Sequence, residues 1–221
     1  MSVSYDDLRF ERLGHASVRV ETSDGTVVYV DPWSDVVEGD PSDGDVVFVT
    51  HADFDHYDPD GIEAVAGPDA TVAVFEGVDT SDLDRDVVAL AERGETVVDG
   101  IDVVTEPAYN EPTGGHVDED GEPFHAQGDG IGIVLGLAGN SVFVVGDSDH
   151  LPHHDALSPD VLIPPIGGHY TMDRHEAAEL VEETDPDLVL PVHYDTFEPI
   201  ETDARAFADV VEGLGARVEL F

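Results

Sequence analysis

Residues 51–56 read His-Ala-Asp-Phe-Asp-His and place two imidazoles and two carboxylates within six positions, directly after the apolar run 46–50. Imidazole nitrogen and carboxylate oxygen suit Zn, Mn or Fe. Donors this close in sequence converge when the backbone turns sharply on leaving a strand, and loops at strand ends are where sites are usually built. In a chain this rich in Asp the same residues also make an ordinary solvated turn, so the metal reading depends on further ligands nearby. Three more ionisable residues close strand-like runs: Asp31 in Val-Tyr-Val-Asp-Pro-Trp, Asp147 in Val-Val-Gly-Asp-Ser-Asp, and His193 in Leu-Pro-Val-His-Tyr. Each alone reads as a turn or cap residue. Their shared placement makes them candidate ligands, because the ends of adjacent strands lie close in space.

The elements that would position these groups follow from the apolar pattern. Residues 26–30, 46–50, 71–75 and 101–105 are short β-branched runs bounded by Gly, Pro or Asp, as strands are. Across 131–146 two apolar runs flank Ala138, Gly139 and Asn140, a hairpin signal that leads straight to Asp147. Asp173 followed by Glu176 is a capping-box start, and Ala177, Ala178, Leu180 and Val181 then keep helical spacing up to Pro186. A second helix is expected over 202–214, with strands at 187–192 and 216–221. Alternation of strand and helix in the second half indicates an α/β layered architecture.

Composition narrows the chemistry. The chain has 221 residues, 51 acidic and 8 basic, for a formal charge of −43, and all the basic residues are arginine. A 41% hydrophobic share, gathered in compact runs, predicts a folded chain, and the length predicts one domain over 1–221. The absence of cysteine excludes disulfides, thiolate nucleophiles, iron–sulfur clusters and Cys-containing zinc sites. The longest apolar run, 131–139, is too short to span a bilayer, and the first ten residues do not read as a secretion signal. A cytoplasmic protein acting on a small molecule is expected, with no membrane association. Affinity for a phosphate backbone needs Lys and Arg, so nucleic acid is not an expected partner. The acidic excess resembles that of proteins working in multimolar salt, where the Debye length is roughly 3 Å or less and self-repulsion is screened. Nothing in the pattern fixes an oligomeric state.

The order of motifs resembles the metallo-β-lactamase superfamily of metal-dependent hydrolases, in its small single-domain branch related to ascorbate-phosphate lactonases. The resemblance rests on Leu-Gly-His-Ala-Ser at 13–17, Val-Asp-Pro-Trp at 30–33, Thr-His-Ala-Asp-Phe-Asp-His at 50–56, Pro-Ala-Tyr-Asn at 107–110, Gly-Asp-Ser-Asp at 146–149, Pro-Pro-Ile-Gly-Gly-His-Tyr-Thr-Met at 164–172 and Pro-Val-His-Tyr at 191–194. It implies a four-layer αββα sandwich carrying two divalent ions, Zn or Mn with Fe as a further option. By the same resemblance, His51 and a later histidine hold the first ion, Asp55, His56 and His193 the second, and Asp147 bridges both. Asp31 would lie beneath them and orient the ligands. A metal-bridging hydroxide would then attack an ester, lactone, amide or phosphoester.

Position 53 departs from the family pattern, His-x-His-x-Asp-His, by holding Asp. As a ligand Asp53 adds negative charge and hardness, which favours Mn or Fe over Zn; alternatively it weakens one site. The later histidine is His125 or His116, and the loop-like Thr-Gly-Gly-His setting of His116 favours His125. His15 and His169 are placed as substrate-orienting groups, with Asp55 or Asp147 accepting a proton. His150, His153 and His154 are expected at an exposed helix start, and His175 on a solvated helix face. The principal reading is a metal-dependent hydrolase. Two others are carried beside it: a scaffold of the same fold without catalysis, motivated by Asp53, and a nuclease, against which the lack of basic patches counts.

Overall fold

In the computed structural model, which describes residues 2–221, two seven-stranded sheets lie face to face and each repeats the other's topology. The first comprises β1 (Ser2–Tyr5), β2 (Leu8–Gly14), β3 (Ser17–Thr22), β4 (Val27–Val30), β5 (Gly44–Val49), β6 (Ala66–Phe75) and β7 (Val87–Leu90), in that spatial order. The second comprises β8 (Gly94–Val98), β9 (Ile101–Ala108), β10 (Gly130–Leu137), β11 (Asn140–Val144), β12 (Val161–Ile163), β13 (Leu188–Val189) and β14 (Arg217–Val218), likewise in sequence order. In each, the first four strands pair antiparallel and the last four parallel.

Burial explains the pairing of the sheets. Val18, Val20, Val28 and Val46 of the first and Ile131, Ile133, Leu135 and Val142 of the second belong to one apolar core. Helix α1 (Pro59–Val65) adds Ile62 and Val65 to it; it starts at Asp58, whose side chain accepts from Asp60 N, with Pro59 where a missing N–H costs nothing. Helices α2 (Arg174–Thr184) and α3 (Ala204–Leu214) pack Leu180, Val181, Phe207 and Val211 against Phe143, Leu162 and Val189 of the second sheet. The order of layers is αββα, the sandwich expected from the sequence.

The expected strands at 26–30, 46–50, 71–75 and 101–105 fall in β4, β5, β6 and β9. The hairpin turns at Ala138 and Gly139, both left-handed at φ 49° and 84°, the combination a tight two-residue connection requires. Asp173 caps α2 reciprocally with Glu176, and Asp203 caps α3 through Ala206 N. The strand expected over 187–192 is regular only at Leu188–Val189; Leu190 N and Val192 N go on donating to Leu162 O and Pro164 O, but Pro191 offers no N–H on the alternate side. No helix among the described residues is long and apolar enough to cross a membrane.

Candidate metal centre

The sequence-selected donors other than His116 and His169 meet at one edge of the sandwich, at the ends of β2, β4, β5, β11 and β13 and in the connection between β9 and β10 that carries His125. The 51–56 segment achieves this with a tight turn in which the N–H groups of His56 and Tyr57 both donate to Asp53 O. Asp55 and His56 are thereby folded back under the strand end beside His51. The hairpin delivers Asp147 through Gly146, at φ 72°, where a Cβ would come within 2.7 Å of Ile131 O. His15, Asp31 and His193 also hold left-handed backbone, at φ 48°, 47° and 53°. Such conformations are uncommon for non-glycine residues and persist where the surroundings over-determine them, as at functional sites.

The donor atoms form overlapping sets that could each hold a cation: His51, Asp53 and His125; His51, His56 and Asp147; and His15, Asp55, His56 and His193. Asp147 sits among them. Its carboxylate lies 3.0 Å from His193 Nε2, 3.4 Å from His56 Nε2, 3.5 Å from His125 Nε2 and 3.9 Å from His51 Nε2. Apart from Asp53, which is more than half exposed, these groups are buried. The Nε2 atoms of His15, His51 and His56 have no hydrogen-bond partner although buried. Unpaired buried nitrogens are costly, and a shared cation is the partner that this donor set fits.

Contacts behind the histidines aim those nitrogens. Asp31 Oδ1 accepts from Thr50 N at 2.8 Å, while Oδ2 accepts from Thr50 Oγ1 at 2.7 Å and from His56 Nδ1 at 2.8 Å. With its hydroxyl proton committed to Asp31, Thr50 Oγ1 accepts from His51 Nδ1 at 2.9 Å. One carboxylate thus fixes two imidazoles with Nε2 inward. On the opposite side His125 Nδ1 donates to Tyr170 O at 3.2 Å, and its backbone N donates to Asn110 Oδ1 at 2.8 Å. Asn110 Nδ2 donates to Tyr170 O and to Asp149 Oδ1, and Asp149 also accepts from Glu111 N and from His116 Nδ1.

Electrostatics follow the same geometry. Burial opposes charge on His56, yet Asp147 and Asp31 on either side push its pKa up to about 10, so this imidazole must release a proton to ligate a cation. Burial, reinforced by His56, lowers His51 to about 4, and burial lowers His15 to about 4. Burial works against the Asp147 carboxylate, but His193 and His56 hold it well below the usual range.

Not every expectation about the histidines holds. His125 joins the cluster, whereas His116 lies behind it, paired with Asp149 at 2.7 Å. His15 is deeper than an early-turn residue: its Nε2 is 3.0 Å from Asp55 Oδ2 without the alignment of a hydrogen bond, and its carbonyl accepts from His193 N. His169 is exposed and does not line the cavity above the cluster; its ring lies against Phe124 and Tyr170. The expected exposed helix start at His150, His153 and His154 is corrected: His154 is wholly buried, its ring against Phe143 and its Nδ1 accepting from Leu151 N. The short helical turn His154–Ala156 packs beneath α2, which covers it. His175 is solvent-exposed on α2, as expected.

The cavity above the cluster measures about 430 Å³. Asp53, Asp55, His125, Asp147 and His193 line its polar part, and Phe54, Phe124, Tyr170, Phe197 and Pro199 the remainder. The sequence reading did not single out these aromatic residues. They come from separate loops, and only the position of Phe54 between two ligands could have drawn attention to it.

Comparison with known proteins agrees with this geometry. Residues 9–193 match the model of the β-lactamase superfamily domain. A UPF0173 metal-dependent hydrolase of Methanopyrus kandleri is 34% identical, with 96% of this chain and 95% of the relative aligned. One from Pyrococcus abyssi is 31% identical, with 90% of each chain aligned. Among solved structures, a Parabacteroides distasonis protein superimposes with a TM-score of 0.82 at 23% identity, covering 99% of this chain and 96% of that one. Igni18, a metallo hydrolase of Ignicoccus hospitalis, gives 0.79 at 26%, covering 97% and 94%. The chain belongs to the metallo-β-lactamase superfamily, among its metal-dependent hydrolases.

Proposed function

We propose that the chain works with two divalent ions, Zn or Mn, and cleaves an ester, lactone, amide or phosphoester of a small molecule. The observation that carries this reading is the position of Asp147 between two donor sets, His51, Asp53 and His125 on one side and Asp55, His56 and His193 on the other. When bound, the ions lower the pKa of a coordinated water and polarise the bond under attack. The protein's part is to hold these donors ready. Asp31 and Thr50 set the tautomers of His51 and His56, and Tyr170 O sets that of His125. His15 shares the second donor set with Asp55, its Nε2 3.0 Å from Asp55 Oδ2; Asp55 and Asp147 are the carboxylates that take up a proton. His169 acts only through the rings of Phe124 and Tyr170, which line the cavity.

The test is metal content by elemental analysis, on protein purified in multimolar KCl and reconstituted with Mn or Zn, beside turnover of an ester and phosphoester panel. Two ions per chain are expected. Asp147→Asn is expected to lose ions from both positions and to lower turnover about a thousandfold, several kcal/mol of transition-state stabilisation. Unchanged metal content and turnover in that variant would sink the reading.

A further inference from the structure

Resting on that hydrolase reading, we infer that the site takes a neutral ester, lactone or amide whose non-reacting part is apolar, and that it turns away molecules carrying an additional phosphate or carboxylate. Three features point the same way. The first is the missing cation. The chain has no lysine, and none of its arginines lines the cavity. Arg12 comes nearest along the chain to a site residue, but its guanidinium is spent on His15 O and Tyr194 O and lies 4.1 Å from the centre of the Tyr194 ring. An anionic substituent on a substrate would find no guanidinium or ammonium to replace its water.

The second feature is the charge of the donor set. Asp53, Asp55 and Asp147 all line the cavity. Three carboxylates offset most of the charge of two divalent ions, and the one at position 53 faces solvent, where an arriving ligand meets it first. In multimolar salt long-range fields are screened, so groups in contact with the ligand decide which charges enter.

The third feature is the aromatic rim. Phe54 is 67% exposed and lines the cavity. Its ring and that of Phe197 both lie 5.9 Å from Trp33, and Phe124 packs 4.9 Å from Tyr170. Together these rings offer an apolar surface around a cavity large enough for a small ligand. Hydrolysis balances simply: water oxygen bonds to the acyl carbon, the acyl C–O or C–N bond breaks, and a proton from water goes to the leaving oxygen or nitrogen. The acid product is ionised at neutral pH, so the carboxylates that exclude anions also favour its departure.

The experiment compares shape-matched pairs on the full-length, metal-reconstituted protein. 4-Nitrophenyl butyrate and 4-nitrophenyl hemisuccinate differ chiefly by a terminal carboxylate, and kcat/KM is expected to favour the butyrate by about tenfold or more. Phe197→Ala is expected to raise KM for 4-nitrophenyl phenylacetate about tenfold with a smaller change in kcat. A hemisuccinate turned over as well as the butyrate, or an unchanged KM in Phe197→Ala, overturns the inference while leaving the hydrolase reading intact. Trp33 is the chain's one tryptophan, and its fluorescence gives a readout free of turnover. N-Phenylbutyramide should alter it at concentrations about tenfold below those needed for its carboxylate isostere, N-phenylsuccinamate. Equal or reversed affinities overturn the inference even if no substrate is cleaved, whereas binding with the expected preference but no cleavage of any ester or phosphoester overturns the hydrolase reading alone.

Discussion

The two halves of the molecule share a sheet topology but build their shares of the centre differently. The first half supplies His51, Asp53, Asp55 and His56 from one turn, and a single carboxylate, Asp31, braces two of the imidazoles directly or through Thr50. The second half supplies His125, Asp147 and His193 from three separate connections. Its brace for His125 is a relay in which Asn110 links the ligand's backbone to Asp149 and to Tyr170 O. A short connection after a strand can present several ligands at once, but ligands drawn from distant loops need a polar hub to fix their relative positions. Asn110 serves as that hub because one amide offers both a carbonyl acceptor and two donors.

Removing each brace separately tests this contrast. Asp31→Asn keeps the shape of the brace but not its charge, and presents an NH2 group to one of its donors. Because His51 and His56 reach toward both donor sets, it is expected, on the two-ion proposal, to weaken both ions, by about 10- to 100-fold each. Asn110→Ala is expected to weaken only the ion held by His51, Asp53 and His125, by a similar factor. Calorimetric titration with Mn and Zn distinguishes them: two weakened steps in the first variant, one in the second. Equal loss of both steps in Asn110→Ala would mean that the two halves are braced as one unit.

These braces also mark where the sequence stops being informative. The 51–56 turn could be read because its donors are contiguous, and His193 because it closes an apolar run. Asp31 was placed under the ligands by family resemblance, and the structure has its carboxylate bound to His56 Nδ1. The Asn110, Asp149 and His116 relay could not be read, since residues 33 to 39 apart in sequence meet only after the sheet has formed. In the fold, β2 and β3 carry a strict alternation at Leu8, Phe10, Val18 and Val20 that was available in the sequence. Asp58-Pro59 likewise was a readable helix start for α1. The burial of His154 had no local signature, because the cover comes from α2, whose residues begin about twenty positions later.

Position 53 gives a finer test within the first half. Asp53 Oδ2 lies 3.3 Å from His125 Nε2 and 3.7 Å from His51 Nε2, so it faces the same set as the second-half ligand. Replacing it by His exchanges a hard anionic donor for a neutral imidazole. Asp53→His is expected to shift selectivity toward Zn over Mn about tenfold at one site, read from competitive metal titration. The same variant should narrow the preference for neutral over anionic esters, since one carboxylate at the cavity mouth is gone. A variant with unaltered metal preference would show that Asp53 lies near the first ion without ligating it.

A last contrast lies outside the centre, where the second half buries a histidine that holds no ligand position. His154 is wholly buried beneath α2, and burial, with His153 and His150 nearby, lowers its pKa from 6.5 to about 3. The unfolded chain therefore binds a proton at this residue below pH 6.5 that the native state refuses until about pH 3. Unfolded protein binds the more protons in that window, so the contribution to stability is whole above pH 6.5 and is lost as pH falls through it, at up to about 1.4 kcal/mol per pH unit. His154→Asn keeps an acceptor near the position of Nδ1 for Leu151 N but cannot titrate. Urea unfolding at pH 7 and pH 5 should show a smaller loss of stability in the variant than in the parent, a difference that isolates His154 from the many carboxylates titrating in both proteins. Equal losses would mean that the buried imidazole accepts its proton in the native state as readily as in the unfolded chain.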